Sequence, residues 1–232
     1  MKDFEPTNKI LGMQIHRDRK DRKLWLSQKN YLLKVLRCFN MQDYKPISTP
    51  LPINYKLSSS ISPSNEAERM EISRVLYASM LRSLMYAMIC TIPNIAQVVG
   101  VISRFMADLG REHESVVKRI LRYIKRTSGV ALCFEGSKFI VTGYVDSDFV
   151  GDHDKRESTS DYVFTLVKGT MSWLSESTIE VKCMATTCKE AIWIQRLLEK
   201  LGTSNKILLC IVTIKVPCIL QEIQPFIQGK RT

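Results

Sequence analysis

The apolar spacing of this chain changes period at Gly129, and that change restricts what it can fold into. Before it, Val117, Ile120, Leu121 and Ile124 recur at helical steps, one stripe of an amphipathic helix over residues 112–126. Lys118, Arg119, Arg122, Lys125 and Arg126 fall on the other flank of that helix. After Gly129, four short runs read as strands: 130–134, 139–146, 162–167 and 170–174. Gly136, a turn at Asp152–Asp154 and Lys168-Gly169 separate them. A chain that combines both periods folds as mixed α/β.

The remaining stretches follow the same logic. Residues 10–15 and 24–26 predict a β-hairpin around the charged turn at residues 20–23. Ser27 is a candidate N-cap for a helix over 28–40, with Tyr31, Leu32, Val35, Leu36 and Phe39 at helical spacing. Four prolines and a serine run make residues 45–65 an extended linker. Residues 66–106 read as helix in two pieces, broken near Thr91-Ile92-Pro93. A last helix is predicted over 183–201, with Met184, Ala191, Ile194, Leu197 and Leu198 inward. Trp25, Trp173 and Trp193 read as core, His16 and His113 as surface. Residues 206–232 match no regular pattern.

Composition narrows the partners. The formal net charge is +11, which favours polyanions, nucleic acid first, over neutral ligands. A merely basic soluble protein is the other reading. The cysteine count is odd, at seven, with no C-x-x-C pair, so neither a disulfide framework nor a zinc site is expected, and a reducing, intracellular setting (cytoplasm or nucleus) is. No apolar core follows the first charged residues, so no signal peptide is expected. No apolar run approaches the roughly 20 residues that span a bilayer, so no membrane partner is expected. Oligomeric state is left open.

The densest acidic stretch is Tyr144-Val145-Asp146-Ser147-Asp148-Phe149. Strand alternation puts Asp146 and Asp148 on one face, where two carboxylates suit a hard divalent cation such as Mg²⁺. An acidic strand end facing solvent is the alternative. Asp152, His153 and Asp154 fit a solvated turn better than a site. Glu180 lies just before the last helix and reaches Asp146 only if the strands pack antiparallel. The basic flank of helix 112–126 suits a phosphate backbone, or is a solvated face. There is no P-loop, no G-x-S-x-G and no His/Cys metal spacing, so NTPase, triad-hydrolase and zinc chemistries have no support.

Several stretches, in consistent order from residue 1 to about 205, together resemble the pol polyprotein of copia-type long-terminal-repeat retrotransposons. Ile10-Leu11-Gly12-Met13-Gln14-Ile15 is similar to the primer-grip segment, and Leu26-Ser27-Gln28-Lys29-Asn30-Tyr31 to the start of the thumb. Tyr77-Ala78-Ser79, Ser83-Leu84-Met85-Tyr86 and Pro93-Asn94-Ile95-Ala96 are similar to the connecting helices, and residues 118–125 to the basic helix after them. Gly143 to Phe149, Lys155 to Thr159 and Ser172-Trp173-Leu174-Ser175 resemble the opening strands of the ribonuclease H domain. Lys189-Glu190-Ala191-Ile192-Trp193 resembles its next helix. The resemblance implies that Asp146 is the first metal-binding carboxylate and Glu180 the second. It implies Mg²⁺ as cofactor and an RNA–DNA hybrid as substrate, cut by two-metal hydrolysis.

The chain also departs from that family. The polymerase aspartates would lie upstream of Met1, so polymerisation by this chain alone is not expected. A full strand is missing between Trp173 and Glu180, which should break the sheet ladder, and two residues are missing between Cys183 and Lys189. Arg82, Arg126 and Asp161 stand where the family has Gly, and Glu114 where it has Trp. The family continues as C-D-S-Q-S-A-L-H, whose Asp is the third metal ligand. Codons for that stretch, read from the second base, give a sequence close to Ile211-Val212-Thr213-Ile214-Lys215-Val216-Pro217-Cys218. The residues from about 206 are therefore expected to be a frameshifted translation, with the third carboxylate lost.

The expected organisation is a primer-grip and thumb-like segment at 1–60, a helical connection at 61–136, a truncated ribonuclease H-like domain at 137–205 and an irregular tail at 206–232. The expected function is that of a catalytically inactive polyprotein fragment. A hybrid nuclease that recruits Asp148 or Asp154, and a non-catalytic nucleic-acid-binding protein using Lys118, Arg119, Arg122 and Lys125, are the alternatives.

Overall fold

The computed structural model describes residues 7–51, 77–106, 110–136, 140–152, 157–167, 169–177, 180–202 and 207–211. The expected linker beyond residue 51, the start of the helical stretch at 66–76, the 153–156 turn and the tail from 212 lie outside the described residues. The chain divides into two compact units. One is Gln28–Gly129; the other joins Met1–Ser27 to Val130–Arg231. The expected 1–60 segment is thus split between them.

The helical unit contains α1 (Lys29–Cys38), α2 (Tyr77–Cys90), a short 3₁₀ turn at Pro93–Ile95, α3 (Ala96–Ser103) and α4 (Arg111–Thr127). The stripes read from sequence are buried: Leu32, Val35 and Leu36 on α1, and Val117, Ile120, Leu121 and Ile124 on α4. They pack with Leu81, Leu84, Val99 and Ile102 in one core. Pro93 ends the α2 region as expected, because it cannot supply a helical N–H.

Ser27 is not the cap of α1. It is the last residue of a strand, paired with Gln14, and the cap position falls to Gln28, which makes no side-chain cap bond. The Gln28 side chain is instead buried, and its Oε1 accepts a 2.7 Å hydrogen bond from Thr91 Oγ1. His113 is also not at the surface. It is fully buried, stacks on Phe105 at 4.7 Å, and its Nδ1 accepts the Gly110 N–H at 2.9 Å. Gly110 has no side chain with which to cap α4, so the imidazole three residues on supplies the acceptor.

The other unit holds two four-stranded sheets. The first, β1 (Lys9–Ile10), β2 (Met13–Asp18), β3 (Lys23–Ser27) and β4 (Leu132–Glu135), is antiparallel throughout. The expected continuous strand over 10–15 is interrupted at Leu11-Gly12. Both residues have positive φ, 46° and 74°, and Gly12 makes that tight turn accessible. At the next turn, Asp18 Oδ1 accepts from the N–H groups of Lys20 and Asp21, at 2.9 and 3.1 Å. β4 pairs with β3 across more than a hundred residues of sequence, and a 3.1 Å Lys23–Glu135 ion pair closes that register.

The second sheet runs in the order β7 (Gly169–Ser177), β6 (Glu157–Leu166), β5 (Val141–Asp152), β8 (Ile207–Ile211). β5, β6 and β7 are antiparallel neighbours, and β8 lies parallel to β5. All three ladders are continuous enough to join one sheet, so the shortened path from Trp173 to Glu180 does not break it. Ile207–Ile211, expected to be irregular, forms β8. Its run of apolar residues suits a strand alongside a buried neighbour. Gly169 lets β7 pass close to β4: a Cβ there would meet the Cys133 carbonyl oxygen at 2.6 Å.

α5 (Glu180–Lys200) covers one face of this sheet. Val141, Val145, Tyr162 and Phe164 pack there against Ile194 and Leu198. The inward set of α5 is narrower than expected. Ile194 and Leu198 are buried, but Met184, Leu197 and Trp193 are exposed, Trp193 at 58%.

Candidate metal and nucleic-acid sites

Asp146 sits on β5, the strand with β6 on one side and β8 on the other. Its register partner on β6 is Asp161, which in turn is opposite Ser175 on β7. Val141 and Val145 of β5 pack against α5. Glu180, the other sequence-predicted carboxylate, is the first residue of α5. Asp148 follows on β5, opposite Thr159, and Asp152 belongs to the same strand rather than to a turn, opposite Glu157.

Sequence reasoning treated Asp161 as a lost glycine and missed its position. It is 7% exposed and directly across from the family-implied metal carboxylate. Counting along the hairpin from a fixed register would have found it. On the other side of β5, β8 contributes only Ile207, Leu208, Leu209, Cys210 and Ile211. A pair of hard divalent cations needs carboxylate oxygens from several elements, and an apolar strand supplies none. Among the described residues, no group of three His, Cys, Asp or Glu side chains could hold a metal ion.

The cationic side chains of the basic helix also hold the fold. Three of its four predicted nucleic-acid contacts fasten the chain segment that follows α1. Lys125 Nζ donates to the Tyr44 carbonyl at 2.8 Å, Arg122 Nε to the Lys45 carbonyl at 2.8 Å, and Arg119 Nη2 to Thr49 Oγ1 at 3.2 Å. Lys118 forms an ion pair with Glu114 one turn earlier. The cationic side chains are therefore partly oriented before any ligand arrives. Among the described residues, no helix is long and apolar enough to cross a membrane.

Comparison with known proteins places this geometry in context. The chain is 47% identical over 215 residues to the retrovirus-related Pol polyprotein from transposon TNT 1-94 of Nicotiana tabacum, covering 89% of this chain and 16% of that protein. It is 32% identical to the corresponding polyprotein from transposon RE1 of Arabidopsis thaliana, covering 87% of this chain and 14% of the relative. It is 36% identical over 134 residues to secreted RxLR effector protein 161 of Plasmopara viticola, covering 53% of this chain and 94% of that shorter protein. The chain spans about a sixth of the TNT 1-94 polyprotein that it matches. No family model matches the chain. No solved structure matches it.

Proposed function

From the premise that this chain belongs to the copia-type retrotransposon Pol polyprotein family, we propose that it is the stretch linking reverse transcriptase to ribonuclease H, and that it does not cut RNA. The family reading implies an RNA–DNA hybrid as the ancestral substrate and Mg²⁺ as the ancestral cofactor. The strand order β7-β6-β5-β8, with three antiparallel strands followed by a helix and a parallel strand, supports a ribonuclease H-like sheet for the second unit. In that reading Asp146 and Glu180 are the remaining ancestral carboxylates.

The observation that carries the inactive reading is the sequence beyond β8. The family's third carboxylate aligns there, and the chain has no Asp or Glu from Ile207 through Gln221. Without an acid there, the second ion has no anchor, and ordering the attacking water loses its support.

The test is a cleavage assay on a labelled RNA–DNA hybrid with Mg²⁺, using the full chain. The expected result is no RNA product above the protein-free background. Product that disappears in Asp146→Asn would overturn the inactive reading and keep the site. Product that survives Asp146→Asn would overturn both.

A further inference from the structure

Beside the fastened segment, a cavity of about 320 Å³ opens on α4, lined by Tyr44, Arg111, Ser115, Lys118, Arg119 and Arg122. We propose that this cavity is a phosphate-binding site, and that its source of phosphate is the phosphodiester backbone of a nucleic-acid strand. The preference for nucleic acid rests on the family reading above; the phosphate chemistry rests on the cavity itself.

Charge selects the class of ligand. Four cationic side chains line the cavity against one carboxylate, Glu114, which Lys118 already engages. A tetrahedral oxyanion with several acceptor oxygens matches converging guanidinium and ammonium donors better than a neutral or planar ligand does. Tyr44 and Ser115 add hydroxyls that can donate to the remaining oxygens.

Preorganisation strengthens the case. Arg122 spends its Nε on the Lys45 carbonyl and Arg119 one Nη on Thr49. A guanidinium has five N–H donors, so each arginine is held in place while keeping others to offer. The Nε of Arg119 is buried and, among the described residues, has no hydrogen-bond partner. A buried donor without an acceptor is costly and is relieved when an anion enters beside it. The site is thus a notch formed by α4 and residue 44, rather than the whole basic flank. Lys125, counted among the contacts from sequence, lies outside the lining, and Arg111 and Tyr44 belong to it.

The experiment measures binding of a short labelled single-stranded DNA to the full chain by fluorescence anisotropy, with inorganic phosphate as competitor. Arg111→Gln and Lys118→Gln remove lining charge without touching the bonds that hold residues 45 and 49. Lys34→Gln on α1 removes one exposed charge elsewhere and is the control. Each cavity variant should weaken binding roughly tenfold, as expected for a lost charged hydrogen bond. Each should also make the salt dependence of binding shallower by about 0.7 per lost contact. Lys34→Gln should stay within about twofold, and Lys118→Arg should restore binding. Thermal melts confirm that each variant is folded. Equal losses in all variants, the control included, would overturn the site in favour of diffuse charge. Inorganic phosphate that binds where DNA does not would keep the cavity and overturn nucleic acid as its source. Unlike the cleavage assay, this experiment does not depend on a metal site, so either can fail without the other.

Discussion

Asp146 of β5 and Asp161 of β6 stand directly opposite each other in the antiparallel ladder. That register is a backbone relationship between two strands, and Asp161 is 7% exposed within it. Asp161→Asn keeps the shape and removes the charge, and urea unfolding of that variant measures what the charge contributes to the fold.

His113 supplies the N-terminal acceptor of α4 and fills the space beneath Phe105. His113→Ala removes the acceptor and the stacked ring together. The expected cost is about 2–3 kcal/mol in urea unfolding, between that of a lost cap and that of a core cavity. His113→Asn keeps an acceptor of shorter reach and should recover part of the loss. If the alanine variant is as stable as the parent, the imidazole is not the cap.

Burial pushes the thiols of Cys90 and Cys133 upward from an ordinary value of 9.0, and the phenols of Tyr31 and Tyr123 upward from 10.0. Each of these acids is favoured in its neutral form by the folded state. Their contribution to stability is therefore complete below the unfolded values and is lost as pH rises through the folded ones. The melting temperature should hold to about pH 8.5 and fall steadily above it. With a thiol reagent at neutral pH, exposed Cys38 and Cys188 should react first, Cys90 and Cys133 more slowly. Rapid labelling of Cys133 would show that β4 opens easily.

Much of the helical unit was legible because its stripes obey one period. Leu32 and Leu36 on α1, and Ile120 and Ile124 on α4, follow from spacing alone. The misreadings are where a partner outside the local sequence decides. Ser27 looks like a cap until Gln14 pairs with it, and His113 looks solvated until Phe105 covers it. The register that sets Asp161 against Asp146 is a long-range property of two strands, invisible to a window of residues. α5 is the hardest case, since its apolar arc is wider than the sheet beneath it. Trp193 and Leu197 extend that arc into solvent, while Ile194 and Leu198 meet Phe164 and Val145. Trp193→Ser should accordingly change stability by less than about 0.5 kcal/mol, whereas Ile194→Ala should cost about 2–4 kcal/mol. Equal costs would mean that something covers Trp193.

The tail makes a prediction at the level of the gene. Reading the family ending C-D-S-Q-S-A from the second base of each codon yields residues close to Val212 through Pro217. Such a shift leaves two of three bases in every new codon dictated by the old protein, so the agreement has few free choices behind it. The coding nucleotides for residues 170–232, translated in all three frames, should therefore give Asp-Ser-Gln-Ser-Ala opposite Thr213 to Pro217 in another frame. That result would date the loss of the third carboxylate to a frameshift, and would make β8 a strand assembled from residues never selected to pair with β5. Apolar residues arising by chance still favour a strand when a buried neighbour offers an open edge, so the pairing does not require a history. If no frame yields the motif, Ile207–Ile211 is an evolved strand, and the absence of an acid in the ten residues after it is a property of the protein rather than an accident of its gene.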